Sequence, residues 1–400
     1  MHAHIEKLYS IAGKDYRRII GLMSGTSVDG LDIAVCGFIG NGMDTTITVE
    51  HFKTVPYNDD FKKEIKSVFS IKEVDLEKLC LLNPWIALQQ AKMINDCLKE
   101  WGIKKVEIDV IASHGQTIYH APASLHKQQK FGNATLQIGD GDHLAVATGI
   151  ITISDFRQKH IAAGGEGAPL AVYGDYLIFS KKDENRILLN MGGIANFTFL
   201  SGDLDTSKVF STDTGPGNTI MDALVQKHFP GKYFDENAAI AKSGVINEKL
   251  LAGLMDHPFF EQPFPKTTGP ELFSLAYLDA VLNKHDIGEV SVPDTMATLN
   301  RFSAQTIVEA IKRVFIGKED FVLYASGGGM HNPLLMQHIK NELPGIEIHT
   351  TDALQINPDA KEAVLFAVLA NECLSGGKTG IGKQGTAIPS EKKKKISFPD

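Results

Sequence analysis

The chain has 400 residues, 43% of them hydrophobic and 22% charged, and a formal net charge of −8. That length exceeds what one hydrophobic core sustains, so two domains are expected, and the mean hydropathy of −0.07 is that of an ordinary globular protein. The acidic balance excludes a nucleic-acid partner held by bulk charge, no run of about 18 apolar residues offers a membrane span, and the charged start (Glu6, Lys7, Lys14, Asp15, Arg17, Arg18) does not read as a secretory leader.

From Arg18 to Val35 two β-rich segments flank a turn made almost wholly of Gly, Ser, Thr and Asp: Ser24-Gly25-Thr26-Ser27-Val28-Asp29-Gly30, then Leu31-Asp32. Such a hairpin points backbone N–H groups and short hydroxyls into one small space, which suits a phosphate, although a polar surface turn has the same composition. A Walker loop is excluded, because Leu31-Asp32 stands where Lys-Ser/Thr is required. A strand is expected at 45–52, then helices across 61–101, where Leu76, Leu79, Leu82, Trp85, Leu88 and Met93 recur at helical spacing. A short buried strand at 106–112 would end in Ser113-His114-Gly115-Gln116-Thr117; His114 there is either a ligand contact or structural. Strands at 135–138 and 150–153 bracket the turn Gly139-Asp140-Gly141-Asp142 and a helix to about Thr148. Asp155 and Arg157, at the end of the second strand, could bind substrate or pair with each other. Gly164-Gly165-Glu166-Gly167-Ala168-Pro169 has the composition of a phosphate loop but follows no clear strand. It reads as a close-packed turn, with Pro169 opening a helix.

Residues 186–200 repeat the opening device as strand, Asn190-Met191-Gly192-Gly193, strand, which is a repeat of topology and not of sequence. Gly192 and Gly193 would let a second phosphate clamp bring its backbone close to a ligand. A strand at 209–212 leads to Asp213-Thr214-Gly215-Pro216-Gly217-Asn218. Asp213 at that strand end is placed either as a general base or as the cap of the next helix. A long amphipathic helix is expected over 296–315, and a buried strand over 321–325 before Ser326-Gly327-Gly328-Gly329. Three glycines in a row offer bare backbone for a flat purine, or simply a tight turn. A helix at 360–374 and a frayed, solvated basic tail around Glu391–Lys395 complete the chain. Cys36, Cys80, Cys97 and Cys373 lack C-x-x-C spacing and predict buried thiols of a reducing cytoplasm, not disulfides or zinc; the sequon Asn196-Phe197-Thr198 is put down to chance.

The ordered set Gly25–Asp32, Ser113–Thr117, Asp155-Phe156-Arg157, Gly164–Leu170, Asn190-x-Gly192-Gly193, Asp213-x-Gly215-Pro216-Gly217-Asn218 and Lys266-x-Thr268-Gly269 resembles the anhydro-N-acetylmuramic acid kinase family over about residues 18–375. The resemblance implies an α/β fold of two actin-like (ribonuclease H-like) domains around a cleft. It implies ATP and Mg²⁺ as cofactors, and phosphorylation of 1,6-anhydro-N-acetylmuramic acid coupled to hydrolytic ring opening, in cytoplasmic peptidoglycan recycling. By the same resemblance, Asp213 is the base that activates water. The resemblance assigns ATP binding to Gly25, Thr26, Ser27, Val28, Asp29, Gly30, Leu31 and Asp32, to which the second clamp and the glycine turn read above add Asn190, Gly192, Gly193, Gly327, Gly328 and Gly329. His114, Gln116, Asp155, Arg157, Glu166 and Glu362 fall on the substrate side, Glu362 as a glutamate that closes on the sugar. Two positions depart from the family: His160 where Asp is usual, and Glu166 where Gln is usual.

Domain I is expected over 17–184 with a returning helix at 361–388, and domain II over 185–360. Partners are an amino sugar and ATP, with no nucleic acid and no membrane, and a homodimer is admitted. Kinase action on a different amino sugar, or a non-catalytic ATP-sensing module, stays open at this point; a carboxylate at Asp213 favours an enzyme. Two facing hairpins imply closure, with hinges near 184 and 360. An ATP analogue with the sugar should therefore lower the radius of gyration in small-angle scattering, and an unchanged radius with both bound would exclude closure.

Overall fold

The computed structural model describes residues 2–25, 28–167, 170–315, 320–354, 356–376 and 395–399. The chain forms two compact units, Met1–Phe179 with Asp359–Asp400 and Ser180–Pro358, so the divisions fall at 179/180 and 358/359.

In the first unit β1 (Tyr16–Ser24), β2 (Gly30–Ile39) and β3 (Thr46–Pro56) form an antiparallel meander. β4 (Val110–Ala121) then runs parallel to β1, β5 (Ala134–Ile138) pairs with β4, and β6 (Thr152–Ser154) runs parallel to β4. The central strands β1 and β2 are buried at most positions, as expected of strands covered on both faces. One face carries a core that includes Ile20, Leu22, Val35, Phe61, Ile86, Ile94 and Leu144, supplied by the sheet and by the helices Asp59–Lys66, Leu76–Glu100 and Gly141–Thr148. The helix Lys361–Ser375 covers β1, β2 and β4.

In the second unit β7 (Asn185–Met191), β8 (Ile194–Leu200) and β9 (Phe210–Pro216) form another antiparallel meander. β10 (Phe321–Ser326) and β11 (Glu347–Thr350) extend it in parallel, giving the order β11-β10-β7-β8-β9. This repeats β6-β4-β1-β2-β3 in order and in strand sense, so the two units share the actin-like arrangement. The helix Val292–Val314 joins two cores, giving Met296, Leu299 and Phe302 to a helical cluster and Ile307, Val308 and Ile311 to the sheet. Finally β12 (Lys395–Ser397) pairs antiparallel with β6.

Several expectations change. The Ser113–Thr117 motif does not follow a strand but lies inside β4, which pairs parallel with β1 and β6 in its first half and antiparallel with β5 in its second. The strand changes partners at Gly115 (φ 73°), where a Cβ would stand 2.7 Å from the Ile138 carbonyl oxygen. Asp213 likewise lies inside β9 and not at its end, because that strand runs on to Pro216. Asn218, not Asp213, occupies the N-cap of the helix Thr219–His228. The closing helix ends at Ser375 and the proposed 377–388 extension lies outside the described residues, as do Pro169 and residues 391–394 of the tail. Lys395 belongs to a paired strand and is not frayed. Cys36 and Cys97 are buried thiols, but Cys80 is exposed.

The cover of β1 depends on one close approach. A Cβ at Gly21 would lie 1.9 Å from the Ala363 carbonyl oxygen, a backbone atom that can move only with its whole helix. Gly21→Ala should destabilise the first unit by about 2–3 kcal/mol, seen as a lower midpoint in urea.

Candidate active site

In the first unit the β1–β2 turn is held from below by a buried polar chain. Tyr57 Oη donates to Ser24 Oγ (2.8 Å), Ser24 Oγ donates to Gln116 Oε1 (2.5 Å), and Gln116 Nε2 donates to the Gly25 carbonyl (3.3 Å). Gln116 is thus spent on shaping the turn. Val28 (φ 56°) closes it, with its N–H on the Gly25 carbonyl at 3.3 Å, and the Tyr57 N–H ties Asp29 at 3.0 Å. Val28 and Leu31 put their side chains in the core, so only their backbone is available to a ligand. Gly30 is required by packing, since a Cβ would meet the Val55 carbonyl oxygen at 2.7 Å. Thr26 and Ser27 lie outside the described residues. Asp32 accepts from Thr54 Oγ1 at 2.5 Å; burial raises its pKa against that hydrogen bond.

Beside this turn, Arg157 Nε donates to His114 Nε2 (2.9 Å) and Nη1 donates to the Gly167 carbonyl (2.9 Å). With Nε2 accepting, the proton sits on Nδ1, which faces the Gly115 carbonyl at 2.9 Å. Burial, reinforced by the Arg157 charge, pushes the His114 pKa down to about 3. His114 is therefore a neutral ring with both nitrogens engaged, and it aims Arg157. Arg157 and Asp155 are not joined by any hydrogen bond or ion pair described here; Asp155 (φ 65°) instead starts the helix Phe156–Ala162. Glu362 stands in the first turn of Lys361–Ser375 and reaches solvent. The protein around it still raises its pKa, with Lys361 and Arg157 opposing and Asp32 and Asp175 reinforcing. Glu166 is exposed and its charge acts on His120, which Arg157 also influences. His160 is a packing residue: its Nδ1 accepts from the Gly167 N–H at 3.2 Å, and its ring fills the space that a Cβ on Gly165 would need.

In the second unit the sheet register lines up a polar row. Ser326 stands opposite Asn190, Asn190 opposite Asn196, and Asn196 opposite Asp213, which places the four side chains on one face of four adjacent strands. Asn196 has no place in the sequence reading beyond a chance sequon; only the register reveals it. Asp213 is half-buried, and its Oδ2 accepts from the Thr268 N–H at 2.8 Å. Its Oδ1 has no hydrogen-bond partner among the described residues. Burial lifts its pKa to about 6, the Thr268 N–H works against the rise, and the Glu271 charge adds to it. A carboxylate so tuned is ionised at neutral pH yet basic enough to take a proton. Thr268 enters the sequence reading only within the motif Lys266-x-Thr268-Gly269, with no role attached, and Glu271 has no local sequence signal.

The glycines of this unit divide into two kinds. Gly327 (φ 81°) would put a Cβ 2.6 Å from Asn190 Oδ1, and Gly329 would put one 2.7 Å from the Met191 Cβ, so close packing of the turn over β7 requires both. At Gly328, Gly192 and Gly193 the nearest atoms are at 3.8, 3.5 and 3.7 Å, which is ordinary contact distance. The fold does not need glycine at those three positions. Two of them form the turn whose carbonyls accept from the N–H groups of Gly217 (2.8 Å), Asn218 (2.9 Å) and Thr219 (3.1 Å).

The family model described as anhydro-N-acetylmuramic acid kinase matches residues 17–387. An anhydro-N-acetylmuramic acid kinase of Pseudoalteromonas atlantica is 58% identical over 401 residues, covering 100% of both chains. One from Caldanaerobacter subterraneus subsp. tengcongensis is 37% identical, covering 95% of this chain and 96% of its own. Among solved structures, the activator of the 2-hydroxyisocaproyl-CoA dehydratase from Clostridium difficile aligns with 90% of this chain and 96% of its own at 13% identity, with a TM-score of 0.39, a likeness too distant to argue from.

The raised pKa of Asp213 has a thermodynamic sign. Between about pH 4 and pH 6 the folded state binds a proton that the unfolded state has released, so stability falls as pH rises through that window and stays lower above it. An amide keeps the acceptor for Thr268 and carries no charge. Asp213→Asn should therefore raise the melting temperature by about 2–4 °C at pH 7.5 and leave it unchanged near pH 4. Calorimetry at both pH values checks this; a lower midpoint at pH 7.5 contradicts it.

Proposed function

This chain belongs to the anhydro-N-acetylmuramic acid kinase family, and on that footing we propose that it uses ATP to convert 1,6-anhydro-N-acetylmuramic acid to N-acetylmuramic acid 6-phosphate, in the cytoplasm, as a step of peptidoglycan recycling. The observation that carries this reading is Asp213: half-buried, anchored through one oxygen, with no partner for the other among the described residues and a pKa near 6. Asp213 takes a proton from water as the water oxygen bonds to the anomeric carbon. The bond from that carbon to the 1,6-bridge oxygen breaks, and this oxygen, retained on C6, attacks the γ-phosphorus as ADP leaves. Asn196 and Asn190, in the same row, are suited to hold polar groups of the reactants.

The nucleotide phosphates would be held by two turns, Gly25–Asp32 and Asn190–Gly193. Support for the second is that packing does not account for Gly192 or Gly193, whereas close approach of a phosphate does. The purine would lie on Gly328, the one open glycine of its turn. Magnesium bound with the nucleotide would neutralise charge on the phosphoryl group. Among the described residues no group of three or more His, Cys, Asp or Glu forms a ready cage, which suits an ion that arrives on phosphates and needs only one or two carboxylates. Asp29 and Asp32, flanking the first turn, would supply them. On the sugar side stand Arg157, aimed by His114, and Glu362.

Incubation with ATP, Mg²⁺ and the anhydro sugar should yield the 6-phosphate and ADP in equal amounts. Asp213→Asn should cut turnover at least ~100-fold while ATP binding persists; turnover within a few-fold of the parent rejects Asp213 as the base. Glu166, whose charge acts on His120, belongs to the sugar side of this reading. Glu166→Gln should move the KM for the sugar several-fold and leave that for ATP in place, as a charge in a partly solvated site is worth on the order of 1 kcal/mol. A change confined to the ATP constant places Glu166 at the phosphates instead.

A further inference from the structure

Lys266 is only 6% exposed, yet among the described residues no carboxylate pairs with it. Its ammonium donates to the carbonyls of Phe259 (2.8 Å) and Phe260 (3.1 Å) and lies 4.3, 5.5 and 5.8 Å from the ring centres of Phe259, Phe264 and Phe260. A buried cation held by neutral groups, with the like charge of Arg313 on the same Phe264 ring (4.6 Å) and the same Phe260 carbonyl, is a costly arrangement, and cores of this kind are ordinarily filled by apolar side chains. What distinguishes this one is the backbone it carries. The Lys266 N–H donates to Thr212 Oγ1 (3.0 Å), its carbonyl accepts the Asp213 N–H (3.0 Å), and two residues later the Thr268 N–H reaches Asp213 Oδ2 (2.8 Å).

We propose that Lys266 is a positioning residue: its caged ammonium locks residues 266–268 alongside β9 so that the Thr268 N–H stays on the carboxylate of Asp213. The cage fixes the side chain at three aromatic faces and two carbonyls, and the backbone on either side of the same residue grips Thr212 and Asp213. Loss of the ammonium leaves the strand in place but frees the segment to slide. The hydrogen bond that holds the Asp213 pKa down then weakens, and the free oxygen is no longer aimed.

The inference rests on Asp213 being the base, and the pH profile of kcat separates the two. Lys266→Met keeps the volume of the side chain and removes the charge. In a variant with the parent's circular dichroism, kcat should fall about 10-fold with the KM for ATP unchanged, and the acid limb should move to higher pH by about half a unit to one unit. Lys266→Arg, which can still donate to both carbonyls, should restore most of kcat and the parent's acid limb. An acid limb and kcat that do not move in the folded Met variant overturn the proposal. Absence of an acid limb in the parent enzyme points instead to failure of the Asp213 assignment. Should Lys266→Met not fold, Phe259→Leu removes the nearest ring and leaves the carbonyls; a smaller upward move of the acid limb supports the proposal, and none overturns it.

Discussion

The hydrogen bond from the Thr268 N–H to Asp213 Oδ2 is the contact on which the chemistry of the second unit depends. It fixes one carboxylate oxygen and leaves the other available. It also sets a limit on how far burial can raise the pKa, which stops at about 6. Without it the same burial would carry the pKa higher; further donors on the other oxygen would make the carboxylate a weaker base. The bond reaches Asp213 from a loop, so its length is decided by whatever holds that loop. Here that is the side-chain hydroxyl of Thr212 and the buried ammonium two residues earlier.

The two units solve one architectural problem twice with different turns. Each begins with an antiparallel meander and continues with parallel strands, so the ends of its first two strands present a short turn at the edge of the sheet. In the first unit the turn is long and is braced from below by Tyr57, Ser24 and Gln116. In the second it is a two-residue Gly-Gly turn that accepts three N–H groups from the segment entering the next helix. Braces reach each turn from outside its own hairpin, from Tyr57 and Gln116 in the first unit and from residues 217–219 in the second, which is why each turn keeps its shape as part of a sheet and would not as an isolated hairpin.

The electrostatics of the first unit follow from burial without full pairing. Arg157 is steered by an uncharged imidazole, and its charge is answered at longer range by Glu362. The protein around Glu362 raises its pKa, with the Asp32 charge adding to the rise, and burial raises that of Asp32, so this unit carries carboxylates whose environment favours the approach of cations or of sugar hydroxyls.

Much was determined by the sequence alone. The hairpin at Gly25–Asp32, its counterpart at Asn190–Gly193 and the family motifs are local patterns, because turn residues and apolar runs declare themselves within a few positions. Fold class and the family resemblance followed from them. What the tertiary structure decided is where pairing partners end. Asp213 and the Ser113–Thr117 motif looked like strand termini, but neighbouring strands extend β9 and β4 through them. His114 and Gln116 read as ligand contacts, and only packing shows their polar atoms engaged by Arg157, Ser24 and the backbone. Gly327 and Gly329 read as bare surface, whereas close approach to β7 consumes both. The place of Asn196 beside Asp213, and the role of Thr268 within its motif, were hidden for a shared reason: a residue's opposite number across a sheet, or the loop that donates to it, is set by register and chain return, neither of which is written in the spacing of nearby residues.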